Sequence, residues 1–293
     1  MQAEEQLHSE LADASAIEQI LVQLVRDASV ELNVTDLKDL EASRALLGQG
    51  RRIYISHLPK QHWDETLLAC RLVSAAGFAP IPHIPVRLIE DEATLDGLLE
   101  RASSDGVEEL LLIAGDYAQA AGPYSSVAEV LRTGKLRRYG FKRISIAGHP
   151  EGHPRVPLAE IRRAEIEKAH LAAPLEVTFV TQFFFEATPF LGWASHLRRH
   201  GVSDARLFAG LAGPAGIATL LRFARRCGVG PSIRALAARP GALARLIVEH
   251  GPDDVMRDLA VARAGDASVI SGLHFFCFGG YLRTCEWLSR YAP

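Results

Sequence analysis

The sequence predicts a (βα)8 barrel, an α/β fold in which eight parallel strands close into a cylinder surrounded by helices. Short apolar runs alternate with longer amphipathic segments along most of the 293 residues, which is the βαβα order of a parallel sheet. The strand-like runs number eight, the count of a closed barrel. An open doubly wound sheet is the alternative, but no glycine-rich dinucleotide turn follows the first strand.

Each strand prediction depends on a short run of Val, Ile, Leu or Phe bounded by polar residues, glycine or proline, and each helix prediction on apolar residues three and four apart. The predicted strands are Val30–Val34, Arg52–Ser56, Ala79–Val86, Glu109–Ala114, Lys142–Ala147, Val177–Phe184, Ala205–Leu211 and Ser268–Phe275. The predicted helices between them are Trp63–Ala76, Glu92–Ser103, Ser126–Arg132, Leu158–Leu171, Leu191–His200, Pro214–Cys227 and Asp253–Ala264.

Two segments lie outside this alternation. A helix is predicted at Ile17–Ala28, ahead of the first strand, and the polar residues 1–15 before it are expected to be flexible. Residues 230–250 are expected to add one or two extra helices before the last strand. Because no internal repeat or long linker divides the chain, we expect residues 1–293 to form a single barrel domain.

Composition narrows the class of partner. A net charge of −3 and a sequence pI near 6.4 provide no basic field for nucleic acid, and no apolar run is long enough to span a membrane. The N-terminus lacks the basic and apolar regions of a secretory signal, and the four cysteines are widely spaced, so free thiols and a cytoplasmic location are expected. Association into a homo-oligomer stays open.

In a (βα)8 barrel the chemistry lies at the C-terminal ends of the strands. Glu31 interrupts an apolar strand, and alternation would point it into the barrel, where burial would raise its pKa and make it an acid near neutral pH. A rim salt bridge is the alternative role. Asp116 follows Gly115 at the end of the fourth strand and offers a carboxylate to a ligand or opens a loop through an Asx turn.

Polar residues also end the strands around Glu31. Gln182 occupies an apolar position of its strand and therefore needs a hydrogen-bonding partner or a ligand. The further candidates at strand ends are Ser56, His57, His83, His149, His153 and His274. His149 and His153 are four apart, but two prolines prevent helical geometry between them, so no catalytic metal is expected. The Ala-, Gly- and Ser-rich residues 115–126 suit a backbone-lined surface for an extended cofactor.

These residues resemble the methylenetetrahydrofolate reductase family, a group of (βα)8 barrels that reduce 5,10-methylenetetrahydrofolate to 5-methyltetrahydrofolate. The resemblance is distant and runs from about Ser29 to Trp287. The motifs that carry it are Ser29-Val30-Glu31-Leu32, Pro82-His83, Gly115-Asp116, Tyr124-Ser125, His149-Pro150-Glu151-Gly152-His153-Pro154, Thr181-Gln182-Phe183-Phe184-Phe185 and His274-Phe275-Phe276.

The resemblance implies roles for these positions. Glu31 would be the acid that opens the methylene bridge, and Asp116 a second catalytic residue beside flavin and pterin. Gln182 and Phe184 would contact the folate. The residues implied to bind cofactor are Ser56, His57, His83, Gly115, Tyr124, Ser125, His149, His153 and Lys168. FAD would be bound, with NADH or NADPH as the hydride donor.

The departures from the family pattern leave other activities open. Ser56-His57-Leu58-Pro59 replaces a Thr-Tyr-Gly type of turn, and the helix after His153 lacks the usual Asp and Asn flavin contacts in register. Hydride could therefore pass directly from NADH to the folate without a flavin. The same residues could also oxidise methyltetrahydrofolate in methyl-group catabolism, or form a folate- or flavin-binding barrel without turnover.

Overall fold

A computed structural model of the chain describes residues 2–115, 117–227, 229 and 251–291, with side chains from residue 14 onward. Within these residues eight parallel strands, each paired with its neighbour in sequence and the last with the first, form a closed barrel. The strands are β1 Ser29–Leu32, β2 Arg52–Ile55, β3 Ala79–Pro85, β4 Glu109–Ile113, β5 Arg143–Gly148, β6 Glu176–Thr181, β7 Arg206–Ala212 and β8 Gly272–Phe276. The predicted barrel is confirmed.

Helices surround the barrel. They are α1 Gln2–Arg26, α2 Leu40–Arg44, α3 Trp63–Ala75, α4 Glu92–Ser104, α5 Val127–Arg132, α6 Lys135–Arg138, α7 Leu158–Ala172, α8 Ala187–Arg199, α9 Ile217–Cys227, α10 Asp253–Gly265 and α11 Tyr281–Leu288. Short 3-10 helices lie at Val34–Asp39, Val86–Leu88 and Ser289–Tyr291. The short helices α2, α6 and α11 are additions to the predicted order, because four to eight residues are too few to show a helical repeat in sequence.

Two cores hold the barrel. Inside it, alternate residues of the strands form one cluster, made of Tyr54, Ile81, Leu111, Val180 and Phe208 with Ile113 against it. The opposite faces of the strands pack on the helices, as alternation in a β-strand requires. The interior is therefore a filled core, and ligands must bind at its ends.

The first helix packs against α10 and the last strand, β8. Helix α1 begins at Gln2, well before the predicted start at Ile17, and buries Leu21, Leu24 and Val25. Arg51 fastens its C-terminal end, because Arg51 Nη1 donates to Val25 O at 2.9 Å and to Ala28 O at 2.7 Å. The expected flexibility of residues 1–15 stays a prediction.

Three further predictions concern the extra helices, the cysteines and membrane-spanning segments. The extra helices predicted in residues 230–250 lie outside the described residues. None of the four cysteines, all of them described, is in a disulfide; Cys70 and Cys285 are buried, and Cys227 and Cys277 are half-buried. Searching the described residues for a helix with the length and apolar character needed to cross a bilayer finds none.

Candidate active site

Glu31 is the centre of a polar group at the C-terminal end of the barrel. Its side chain points inward from β1 and is 19% exposed, so a ligand at the mouth can reach it. Ser56, the first residue after β2, donates a short hydrogen bond from Oγ to Glu31 Oε1. The pairing of β1 with β2 brings the two side chains together, as the strand-end rule predicts.

His274 extends this group across the junction of β1 and β8. His274 Nε2 lies 3.6 Å from Glu31 Oε2, and His274 Nδ1 lies 3.0 Å from Ser29 Oγ. Ser29 Oγ also lies 3.3 Å from Leu273 O; when the hydroxyl donates to that carbonyl, its oxygen accepts from Nδ1–H of His274. Glu31 and His274 Nε2 thus form a carboxylate–imidazole pair at ion-pair distance.

The charge state of Glu31 differs from the expectation of a raised pKa. Burial does raise the pKa of the Glu31 carboxyl, but the interaction with His274, the neighbouring His83 and the Ser56 hydrogen bond together outweigh it. The pKa of Glu31 is therefore lower than its usual value. Sequence reasoning included the desolvation and missed the partners, since they come from β2, β3 and β8.

His83 faces the same group from β3. It is 9% exposed, its ring lies edge-on to Tyr54 with centroids 6.2 Å apart, and its Nε2 has no hydrogen-bond partner among the described residues. Burial lowers the pKa of His83, so the neutral ring is favoured despite the attraction of Glu31. A buried nitrogen without a partner is costly, and a ligand group at this place would satisfy it.

His57 is held by the start of α3. Its Nδ1 lies 2.8 Å from Thr66 Oγ1, and its ring stacks on Trp63 with centroids 4.0 Å apart. Burial lowers the pKa of His57 to about 4, with a contribution from nearby His83. His57 is thus a neutral ring that helps shape the wall beside His83.

The two predicted folate contacts, Gln182 and Phe184, lie after the end of β6 in different surroundings. Gln182 follows the strand; its backbone N–H donates to Gly148 O at 2.8 Å, and its Oε1 accepts from Phe183 N at 3.1 Å. Its side-chain NH₂ group bonds to none of the described residues. Phe184 is 2% exposed and stacks on Phe190 at 5.4 Å, within the core. Because Phe184 is packed in the core, half-buried Phe185 is the aromatic residue that a ligand would touch.

The loop after β4 turns sharply at Gly115. Its φ is +87°, and a Cβ atom there would lie 2.9 Å from Tyr117 Cδ2 and 3.2 Å from Pro85 Cβ, so only glycine fits without strain. Arg87 fastens the loop by donating to Tyr117 O and Ser125 O. Asp116 lies outside the described residues, so its catalytic role stays a prediction.

Tyr124 and Ser125 end this loop. Tyr124 is buried, its OH group finds no hydrogen-bond partner among the described residues, and burial raises its pKa. Ser125 is engaged in the cap of α5, where its N–H and its Oγ both donate to Glu129. No contact of either residue with the Glu31 group is found in the described part of the chain.

A second group forms at the turn after β5. His149 and His153 meet edge to face with ring centroids 5.9 Å apart. Glu165 of α7 fixes the turn by accepting from His149 N at 2.8 Å, Arg162 Nη1 at 3.0 Å and Trp193 Nε1 at 2.9 Å. Burial raises the pKa of the Glu165 carboxyl, but His149 and Arg162 outweigh it and the net shift is downward.

Lys168 lies on the same helix as Glu165, one turn later. Burial lowers the pKa of its ammonium group, and Glu165 opposes that shift. His149 Nδ1, 3.6 Å from Glu165 Oε1, is a further buried nitrogen that lacks a hydrogen bond among the described residues. A polar ligand at this turn would therefore meet one histidine nitrogen and one lysine cation.

An aromatic wall, defined here as Phe183, Phe185, Phe276 and Phe278, completes the mouth. Phe276 lies edge-on to His274 with ring centroids 4.8 Å apart and is parallel to Phe278 at 5.4 Å. Phe183 contacts the other three rings. Sequence patterns identified the Phe183–Phe185 run and the His274-Phe276 segment, but not Phe278. Among the described residues no three metal-ligating side chains converge.

The sequence is similar to known proteins. The family model described as methylenetetrahydrofolate reductase matches residues 61–234, more than half of the chain. Methylenetetrahydrofolate reductase 2 of Saccharomyces cerevisiae is 22% identical over 211 residues, covering 66% of this chain. The match spans 32% of that yeast protein's length. The family match, the closed barrel and the strand-end residues lead to one conclusion: the chain belongs to the methylenetetrahydrofolate reductase family.

Proposed function

We propose that the protein is an oxidoreductase that reduces 5,10-methylenetetrahydrofolate to 5-methyltetrahydrofolate, using NADH or NADPH through bound FAD. The observation that carries the proposal is the group of Glu31, Ser56, His274 and Ser29 at the catalytic end of the barrel. These residues could act as an acid–base pair, and their position supports the proposal because barrels of this fold carry their chemistry at the C-terminal strand ends. Family membership supports the choice of substrate class.

The described residues fit a large polar cofactor. Six buried side-chain atoms have no hydrogen-bond partner among them, and three belong to predicted cofactor residues, namely His83 Nε2, Tyr124 Oη and His149 Nδ1. Native proteins seldom leave buried polar atoms unpaired without a reason. These three atoms, with Lys168, would hold the FAD, which supplies hydride transfer between the nicotinamide and the methylene carbon.

Glu31 would deliver the proton that opens the methylene bridge. Because its pKa is lowered, the carboxylate is ionised at rest and must receive a proton before it can donate one. His274 Nε2 is in place to pass that proton, and Ser29 fixes the imidazole orientation through Nδ1. The acid is therefore the Glu31–His274 pair, with Ser56 positioning the carboxylate.

Substrate orientation would fall to the residues around this pair. The amide N–H groups of Gln182, which bond to none of the described residues, suit a carbonyl or ring nitrogen of a pterin, and Asp116 would bind its amino edge. Phe185 and Phe276 offer half-buried ring surface against which a planar heterocycle can pack. The aromatic wall would also keep water away from the reacting carbon.

The first test is the visible absorption spectrum of the purified protein, followed by NADH and methylenetetrahydrofolate with and without added FAD. A flavin spectrum that bleaches with NADH and recovers with folate supports the proposal. Turnover by a colourless protein without FAD would replace the flavin route by direct hydride transfer. Faster oxidation of methyltetrahydrofolate than reduction of the methylene form would assign the catabolic direction.

Substitution of the acid tests the residue assignment. Glu31→Gln keeps the side-chain volume and is expected to lower folate reduction about 100-fold or more, because general acids contribute roughly 10²–10⁴. Flavin reduction by NADH should persist. Glu176→Gln, an exposed change at the opposite end of the barrel, is the matched control. Unchanged folate turnover in Glu31→Gln would refute the acid role, and folate binding without turnover in the unmodified protein would favour a binding barrel.

A further inference from the structure

The N-terminal end of the barrel carries an arginine layer that the proposed reaction does not use. Arg52, Arg143 and Arg206 each precede an inward-facing strand residue by two positions, so their side chains point into the same end of the barrel. Glu109 of β4 is the carboxylate at the same level. They line a cavity of about 970 Å³, which is in the size range of small-molecule sites.

The carboxylates neutralise only one of the three arginines. Arg143 Nη2 donates to Glu108, and Arg143 Nε lies 3.8 Å from Glu109 Oε2. Glu109 also accepts from Ser145 Oγ at 2.6 Å. Arg52 and Arg206 have no carboxylate within ion-pair distance among the described residues. Neither Arg52 nor Arg206 thus has an ion-pair partner among the described residues. Five arginines and three carboxylates, those of Asp27, Glu108 and Glu109, line the cavity, so its described lining keeps an excess of positive charge.

The two arginines share one aromatic ring. The guanidinium carbon of Arg52 lies 4.0 Å from the centre of the Phe208 ring, and that of Arg206 lies 5.2 Å from it. Arg52 Nη1 is buried and has no hydrogen-bond acceptor among the described residues. A cation–π contact engages the face of the guanidinium group and leaves its in-plane N–H groups available for hydrogen bonds. Nη1 of Arg52 is therefore held in place without an acceptor among the described residues.

The local field is positive. Burial lowers the pKa of the Arg52 guanidinium, and repulsion by Arg206 and Arg143 lowers it further, while Tyr54 and Glu109 oppose the shift. An anion between Arg52 and Arg206 would remove this repulsion and occupy the free Nη1 donor. Guanidinium groups bind phosphate with two parallel hydrogen bonds, and two adjacent guanidinium groups match a dianion.

We propose that the cavity at the N-terminal end of the barrel is a binding site for a small phosphate-bearing anion, held by Arg52 and Arg206. The cavity is lined by apolar surface as well, including Phe78, Pro80 and Phe208. The ligand can thus carry an organic group beside its phosphate. The site lies at the opposite end of the barrel from Glu31, so its occupancy does not depend on the proposed reaction.

The test is calorimetric titration of the full chain with inorganic phosphate and with pyrophosphate, at constant ionic strength set by sodium chloride. We expect saturable binding with one anion per chain and a rise in unfolding temperature with anion concentration, since a ligand of the native state stabilises it. Arg206 is exposed, so Arg206→Ala should fold, and it should weaken binding about tenfold or more. Arg52→Lys keeps the positive charge but loses the two parallel N–H donors of the guanidinium group, so it should weaken binding as well.

Controls separate this site from the catalytic end. Arg137→Ala removes an exposed arginine outside the cavity and should leave affinity unchanged. Glu31→Gln should also keep phosphate binding, so failure of the proposed reaction and failure of this site are distinguishable. The proposal would be overturned if phosphate showed no saturable binding, or if Arg206→Ala and Arg52→Lys bound it as tightly as the unmodified protein. It would also be overturned if acetate raised the unfolding temperature as much as phosphate does.

Discussion

The buried carboxylate of Glu165 offers the sharpest test of how the His149 turn is held. Its side chain is 1% exposed and accepts three hydrogen bonds. In Glu165→Gln the volume is kept, but one oxygen becomes an NH₂ donor. The less costly orientation keeps the oxygen toward Arg162 and Trp193 and turns the NH₂ group against His149 N, a donor facing a donor.

The magnitude follows from these bonds. A buried donor left unsatisfied costs about 1–3 kcal/mol, and charge-assisted bonds are about twice as strong as neutral ones, so the two remaining bonds also weaken. We expect Glu165→Gln to lower the free energy of unfolding by about 2–4 kcal/mol, measured by urea denaturation. Glu160→Gln, an exposed change on the same helix, should cost less than about 1 kcal/mol.

The pH dependence gives a second readout of the same side chain. The folded-state pKa of Glu165 is lowered, so its stabilisation is complete above the unfolded-state pKa and is lost as pH falls through the folded-state pKa. The stability gap between the native protein and Glu165→Gln should therefore narrow below about pH 4. A gap that is absent at pH 7, or that equals the Glu160→Gln effect, would refute the reasoning.

Three further predictions concern single residues. Ser29→Ala should lower kcat by less than about 100-fold and move the pH profile, with KM for folate little changed, because it frees the His274 ring; an unmoved profile would contradict this. Gly115→Ala should cost about 1–3 kcal/mol in urea unfolding from its φ of +87°, whereas Gly216→Ala, where a Cβ meets nothing within 4 Å, should not. Arg51→Met should lower the free energy of unfolding by about 2–4 kcal/mol and with it the unfolding temperature, since two buried carbonyls lose their donor. An unchanged unfolding temperature would show that other contacts hold helix α1.

Strand positions could be predicted from the sequence because barrel strands are short and strongly apolar. The fourth strand was expected at Glu109–Ala114 and is Glu109–Ile113. The ends of strands and helices were harder to predict where side-chain packing determines them. Strand β6 stops at Thr181 instead of Phe184, since Phe183 and Phe184 leave the ladder to pack in separate clusters. Helix α8 starts at Ala187, before the expected Leu191, because a proline in the first turn is tolerated.

The site was predictable in its types of residue and not in its contacts. Strand alternation selected Glu31 and the strand-end rule selected Ser56 and His83. The lowered pKa of Glu31 depends on His274, which is 243 positions away along the chain, so no local pattern could supply it. The burial of Glu165 could not be predicted either, since an acidic residue in a charged amphipathic helix is expected on the solvent-exposed face.

The pairing of β1 with β8 has a consequence for when the protein can become active. Ser29 and His274 are register partners at the seam where the first and last strands meet. Every other strand pair can form while this seam is still open, but the Glu31–His274 pair cannot. The proposed activity should therefore require barrel closure, and any strain that opens the seam should abolish that activity before the rest of the sheet is lost.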